Sequence, residues 1–394
     1  MLKKENRRFT PEVLFFVVAF IGIAIMLMLL FVSDGKAMLT MGYGESMFCD
    51  FWAHIHKLFN YDSLYGNLAD ADAIFPPLAY CFLNLFARCM QYDVSGFNIS
   101  MTGYGVLILI MYMLIFMTTF VQILNYDYKT NKKVLKIIAP FIFLFSYPFW
   151  GCAFERGNPV IYAMLFLYMG IVLRNHSNKV MREISLICVA ISAGFKIYPA
   201  LFGLLWLAEK RYKEAARLLI YGVIAFFLPF IFFGGIQGIL EYIGTFTRYI
   251  GKDIYSQTSI LGNCITIFGE YGKVIGKIVI FAWIVWVVFY IFSEGVTWKS
   301  IALLTSTQTI IIAESYVYTY VFIVIPCIYF LNSLHERGRE NKINYIYAVL
   351  FAFVFTIPPL VNIQSGVLIG IYVSWISILL LISLEKIMNL MVRK

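Results

Sequence analysis

The chain has 394 residues, of which 61% are hydrophobic and only 13% charged, against roughly 25% charged in water-soluble domains. Apolar runs recur from end to end and leave no polar stretch long enough for a separate soluble domain, so soluble enzymes, disordered chains and fibrous proteins are excluded. The excess of 31 Lys and Arg over 22 Asp and Glu, a net +9, collects in short segments between apolar runs, which excludes a nucleic-acid surface and fits an all-α polytopic membrane protein.

In chain order, Lys3, Lys4, Arg7 and Arg8 precede an apolar run over 13–32. It is too long for a signal-peptide core and no small-residue cleavage site follows, so it reads as an uncleaved first span. Segment 33–77 then forms a long first extracytoplasmic loop. Within it, 46–60 has Met47, Phe51, Ile55 and Leu58 at helical spacing, which predicts a short amphipathic helix with an apolar face suited to the bilayer surface. Residues 74–90, opened by Pro76-Pro77, are expected as a membrane-dipping or interfacial helix, with a true crossing as the alternative. Further spans are expected near 102–124, 137–150, 159–173, 218–235, 278–293, 301–313, 316–330, 344–363 and 365–383. Segment 236–277 is read as a second outer loop and 278–394 as C-terminal transmembrane helices, all within one integral membrane domain over 1–394.

Orientation follows from charge. If 1–12, 125–136, 174–183, 208–217, 294–300, 331–343 and 384–394 face the cytoplasm, they hold 22 of the 31 Lys and Arg, as the positive-inside rule requires. Both termini are then cytoplasmic, in a multi-pass protein of the cell membrane, read as a bacterial plasma membrane. The basic segments on either side of 184–207 must share one face, so this stretch is expected to enter and turn back as a re-entrant broken-helix pair. Two halves of about 11 residues rise roughly 16 Å each, half a bilayer, and meet at Lys196-Ile197-Tyr198-Pro199. With the pair included, about 12 transmembrane segments are expected. The seven cysteines are scattered and lack C-x-x-C spacing, so they read as packing residues. No repeat relates the two halves, which weighs against a secondary transporter.

Four places carry candidate chemistry. In the first outer loop, Asp50 and His54 are neighbours on one helical side, and a carboxylate there is suited to take a proton from an acceptor hydroxyl; a solvated acidic loop is the plainer alternative. A metal held by Asp50, His54 and His56 is disfavoured because the two histidines do not share a helical face. No metal ligand set or cofactor stands out, and metal dependence is left open. At 154–159, Glu155, Arg156 and Asn158 form a polar tip between apolar runs. Arg156, with its planar fork, suits a phosphate, while a local Glu155–Arg156 pair at an exposed turn is the alternative. Lys196, at the expected helix break beside Tyr198, should face a polar cavity. In the second outer loop, Arg248 and Lys252 with neighbouring tyrosines suit an anionic headgroup or a simple interfacial anchor. Glu314, Tyr316, Tyr318 and Tyr320 near another outer turn are compatible with a polar cavity or an aromatic belt.

These elements resemble one family. A first span, Asp50, Leu64-Tyr65 and Phe75-Pro76-Pro77-Leu78 resemble the opening of the GT-C class of membrane glycosyltransferases. The stretch E-R-G-N-P-V-I-Y at 155–162 and A-G-F-K-I-Y-P-A-L at 193–201, with the basic segment at 209–211, is similar to glycosyltransferase family 87. The resemblance extends over roughly 10–235, with 13–235 as the GT-C module. Where that family commonly has G-Q-x-N, this chain has Glu155-Arg156-Gly157-Asn158, so the Gln is replaced. The resemblance implies a GT-C fold and a polyprenyl-phosphate-sugar donor, with mannose favoured by analogy. The acceptor is a lipid or glycan on the extracytoplasmic face. Transfer inverts the anomeric carbon, with Asp50 as the base. Arg156, Lys196 and Arg248 would meet the donor phosphate, and His54, His56, Glu155, Asn158, Tyr198 and Lys252 would line the substrate cavity. Membrane lipids are the other expected partners; no protein partner is evident. A carrier or flippase for a lipid-linked sugar, or a membrane scaffold, are the competing readings.

Overall fold

The structure, a computed structural model, describes residues 9–33, 48–60, 63–66, 73–89, 103–250, 255–256, 258–313, 317–336, 341–356 and 364–392. Met47, Lys252, Glu314 and Tyr316, named above, lie outside these residues, as do the first-loop acids other than Asp50.

Every described element is helical: α1 Pro11–Val32, α2 Cys49–Asn60, α3 Pro77–Ala87, α4 Gly103–Asp127, α5 Lys133–Leu144, a π turn Tyr147–Phe154, α6 Val160–Leu173, α7 Lys179–Phe195, a 3-10 turn Tyr198–Gly203, α8 Leu204–Ala208, α9 Tyr212–Phe227, α10 Gly235–Ile250, α11 Ile260–Phe268, α12 Gly272–Glu294, α13 Trp298–Thr309, a 3-10 turn Val317–Ile323, α14 Val324–Glu336, α15 Ile343–Thr356 and α16 Gln364–Val392. The ends follow local chemistry. Thr10 accepts from the Val13 amide with Pro11 at the first helical position, and Asn178 caps α7 through the Val180 amide, the arrangement that satisfies orphan N–H groups.

Among the described residues, six helical stretches are long and apolar enough to cross a membrane: Pro11–Val32, Gly105–Asp127, Tyr212–Phe232, Ile260–Glu294, Tyr318–His335 and Tyr372–Val392. Other expected spans are shorter. The run at 137–150 divides into α5 and the π turn, and α6 has 14 residues, about 21 Å at 1.5 Å per residue. Segment 236–277, expected as a loop, is largely helical in α10, α11 and the start of α12. The amphipathic alternation of α10 and the Ser259 cap on α11 account for this.

The basic segments gather at one end. Glu12 accepts from Tyr128 at 2.6 Å and lies 3.0 Å from His335 Nε2 and 3.6 Å from Lys132. Lys129 N donates to Asn332 at 2.8 Å, Arg174 pairs with Glu209 at 3.3 Å, and Arg211 reaches Asn175 at 2.9 Å. Lys299 with Glu385, and Lys386 with Glu294, tie the C-terminal helix to the same end. The two sides of 184–207 therefore meet, as the charge pattern requires.

The chain between them turns at Lys196, which leaves helical geometry at φ −146°, ψ 130°. Pro199 lacks an amide hydrogen and disfavours helix before it. The arms are unequal, however: 17 residues outward in α7 and 3-10 plus α8 on return, where two halves of about 11 are expected from the sequence. The longer arm is fixed by its packing on α6, where Ser185 and Ser192 donate to the Gly170 and Ala163 carbonyls at 2.6 Å each. That length carries Lys196 away from the basic end.

Glycine makes the α6–α7 contact. A Cβ at Gly170 would lie 2.5 Å from Val189 Cγ2 and 3.0 Å from the Ser185 carbonyl oxygen, which is backbone and cannot swing aside. Gly170→Val is expected to lower stability by about 1–3 kcal/mol, read as a reduced melting midpoint of the detergent-purified protein; an unchanged midpoint would contradict this packing.

Candidate active site

Helix α2 has 12 residues and is too short to be stable alone; its apolar face docks into the protein. Phe51 and Ile55 are fully buried. The Phe51 ring lies 4.8 Å from Tyr112 and 6.2 Å from Phe86. The face expected on the bilayer surface is thus a packing face, because α3 and α4 present an aromatic wall to it.

Docking brings Asp50 to the 155–158 tip. Arg156 donates through Nε to Asp50 Oδ2 at 2.8 Å and through Nη2 to Oδ1 at 2.6 Å, and Asn158 Nδ2 donates to Oδ2 at 2.6 Å. The Phe48 amide donates to the Glu155 carbonyl at 2.5 Å, pinning the start of α2 to the same tip. Asn158 also accepts from the Val160 amide at 2.9 Å and so starts α6 while it holds Asp50. Gly157 has φ +63°, and a Cβ there would lie 2.8 Å from Phe51 Cβ; only glycine fits both the backbone and the contact.

Burial would raise the Asp50 pKa, but the Arg156 fork and the Asn158 amide outweigh it and hold the carboxyl below its ordinary value. A carboxylate offers two acceptor positions per oxygen. Oδ2 is filled, and the second position on Oδ1 is taken, among the described residues, by a long hydrogen bond from the Cys49 thiol at 3.7 Å. Burial and the adjacent carboxylate push that thiol up to about 11, so it stays a weak neutral donor.

Glu155 does not pair with Arg156 at an exposed turn. Its side chain is buried and Oε2 has no hydrogen-bond partner among the described residues. Burial, opposed in part by Arg156, raises its pKa from the ordinary 4.5 to about 7.

Lys196 completes the cluster from the far side. Its Nζ lies 3.6 Å from the Phe75 ring centroid, and both Lys196 and Arg156 face the Tyr318 ring at 6.0 Å. The Asp50 carboxylate acts on it electrostatically, yet among the described residues no carboxylate pairs with it directly. Aromatic faces stabilise such an ammonium without neutralising it. His54 stacks on Phe75 at 4.0 Å and lies 2.9 Å from the Tyr80 hydroxyl through Nδ1.

Asp50, His54, Glu155, Arg156, Asn158 and Lys196 thus come together. Tyr198 neighbours Lys196 in sequence, but its ring packs edge-on to Phe322 at 5.7 Å. Arg248 is exposed on α10 and donates to Thr245 at 2.8 Å; no contact among the described residues joins it to Asp50 or Lys196. His56 is half-buried one turn from the cluster. Phe75 and Tyr80 are site residues that sequence reasoning left out of the cavity, while Tyr318, read from sequence as part of a polar cavity or an aromatic belt, stands at the site. Of the two missed residues, Phe75 carries a signal, its place before Pro76-Pro77. Among the described residues no three His, Cys, Asp or Glu side chains form a metal-binding group.

A helical, membrane-spanning chain with buried ionisable groups at one end defines a membrane-embedded protein with a polar working site. Residues 73–326, well over half of the chain, match glycosyltransferase family 87, and the chain belongs to that family, which makes it a glycosyltransferase. The match begins later and runs further than the expected 10–235: it includes Phe75, Arg156, Lys196 and Tyr318, whereas Asp50 and α2 precede it. No curated protein matches the chain.

Two outcomes test the cluster. Arg156→Ala strands the Asp50 carboxylate and is expected to destabilise the protein by about 2–4 kcal/mol, with Arg156→Lys recovering part of the loss; equal melting midpoints for all three proteins would dissociate the pair from stability. Because folded Glu155 keeps its proton up to about pH 7 while the unfolded group loses it near its ordinary value, stability falls as pH rises between those values. Glu155→Gln should flatten that part of the melting-midpoint profile.

Proposed function

We propose that the protein is an inverting glycosyltransferase that moves a sugar from a polyprenyl-phosphate-sugar to a lipid or glycan acceptor on the extracytoplasmic face. Its family membership supplies sugar transfer. The observation that carries the rest is the Asp50 carboxylate, anchored by Arg156 and Asn158 with one Oδ1 position held weakly by the Cys49 thiol, acting on the ammonium of Lys196, with which no carboxylate among the described residues pairs directly.

An acceptor hydroxyl takes that position and gives its proton to Asp50 as its oxygen bonds to the anomeric carbon. The bond from that carbon to the donor phosphate breaks on the opposite face, and the electron pair leaves with the polyprenyl phosphate. A low carboxyl pKa makes Asp50 a weak base, so proton transfer comes late, when the attacking oxygen has become acidic. Lys196 meets the developing phosphate charge in a water-poor site, where a fixed cation acts most strongly. Arg156, expected from sequence as a phosphate ligand, spends two donors on Asp50 and contributes chiefly by orienting it. Mannose remains the sugar favoured by the resemblance.

An apolar groove of about 640 Å³ between α7, the 198–208 arm and α9 supports a lipid-linked donor. Ile197, next to Lys196, lines it with Leu201, Leu204, Val223 and Phe226. A polyprenyl chain in this groove would have its phosphate end beside Lys196. The outer-face assignment rests on the cluster's distance from the gathered basic segments.

In liposomes with a panel of polyprenyl-phosphate sugars and a membrane lipid extract, wild type should consume one donor. Asp50→Asn should lose about 10²-fold or more of the rate at an unchanged melting midpoint; full activity in that variant would overturn the assignment of the base. Gly222 faces open space on the groove wall. Gly222→Phe should raise KM for a long-chain donor while sparing a short-chain analogue, and equal effects on both would remove the groove from the proposal.

A further inference from the structure

The basic end holds a second polar cavity that sugar transfer does not use. It encloses about 650 Å³ where α4 and α6 end, lined among others by Lys129, Arg174, His176, Trp298 and Ser333. Helix α6 starts beside Asn158 and runs 14 residues to Leu173, so about 20 Å separates this cavity from Asp50 along its axis.

Arg174 is the unusual member. It is 4% exposed, and its Nη2 pairs with Glu209 at 3.3 Å, but its Nε and Nη1 are buried without a hydrogen-bond acceptor among the described residues. A buried guanidinium with two idle donors is costly unless something arrives to accept from them. Its position is held from behind: Arg211 donates to the Arg174 carbonyl at 3.0 Å and to Asn175 Oδ1 at 2.9 Å. The carboxylates nearby already have partners. Asp127 accepts from Tyr168 at 2.9 Å, and Glu209 takes both Arg174 and Arg211. What stays unsatisfied is the Nε–H and the Nη1 hydrogens of Arg174, donors on different edges of the guanidinium, with Lys129 and His176 on the same cavity. A charged donor group of this kind, with the second cationic side chain of Lys129 on the same cavity, suits the several acceptor oxygens of a phosphate ester.

We propose that this cavity is a second binding site, which takes a phosphate-ester anion on the idle donors of Arg174. The same chemistry is offered by a phospholipid headgroup from the adjoining leaflet and by a soluble phosphate, and the test separates them.

Full-length protein is placed in nanodiscs of phosphatidylcholine with and without phosphatidylglycerol, and retained anionic lipid is counted by native mass spectrometry. Inorganic phosphate and pyrophosphate are titrated in the phosphatidylcholine discs by melting midpoint, which rises with any ligand bound to the folded state. Wild type is compared with Arg174→Gln and with Ser333→Glu. Because Arg174→Gln also breaks the pair with Glu209, Ser333→Glu, which sets a negative charge on the cavity wall and leaves that pair intact, is the deciding variant. Retention of phosphatidylglycerol that falls about tenfold in both variants supports the site with a lipid headgroup as its ligand. A midpoint rise with phosphate or pyrophosphate that both variants lose supports it with a soluble ligand. Equal retention and equal midpoints in wild type and Ser333→Glu overturn it. Sugar transfer, which depends on Asp50, is measured alongside and decides the other proposal separately.

Discussion

A desolvated carboxylate that must be paired governs the working end of this protein. Asp50 sits on a helix too short to stand alone, and the groups that can satisfy it, Arg156 and Asn158, belong to a tip more than a hundred positions later in the chain. Bringing them together costs both ions their water, which is offset only when the geometry is good and the remaining donors are used. The structure meets that condition with a bidentate fork, an amide and a backbone bond from Phe48. Gly157 follows from it, because no side chain fits between the tip and Phe51.

The apolar interior imposes a related rule on the rest of the bundle. Polar groups there need partners within the protein, and they find them across helices: Trp375 Nε1 donates to Thr309, Trp286 to Ser383 and Trp283 to Ser306. Ser185 and Ser192 do the same between α7 and α6. These ties hold α7 as a rigid arm, and the arm sets where Lys196 ends. The lysine rests on Phe75 and Tyr318, rings that accept a cation without cancelling its charge. Its charge is therefore kept within the site.

The two ends of α6 divide the chemistry. One end holds Asp50, Arg156 and Lys196; the other holds Arg174, Lys129 and the contacts of Glu12 and Arg211. The groove beside α9 is lined by Ile197, the residue after Lys196, on the apolar flank of the protein. Charge thus sits at each end of this helix, with an apolar groove alongside.

Much of this was legible in sequence. Hydrophobic runs determined a helical membrane protein, because burial of apolar surface acts on local composition, and the described basic segments gather at one end of it. Proline chemistry placed the break at Lys196, and the Asp50 and 155–158 stretches were recognisable as candidates. Local composition carried no information about partners, since pairing depends on where distant segments dock. The sequence suggested that Arg156 pairs with Glu155 or awaits a phosphate, that the apolar face of α2 lies on lipid, and that 236–277 is loop. Tertiary packing decided otherwise: an aromatic wall on α3 and α4 took the face of α2, and Asp50, thereby buried beside the tip, claimed the fork of Arg156.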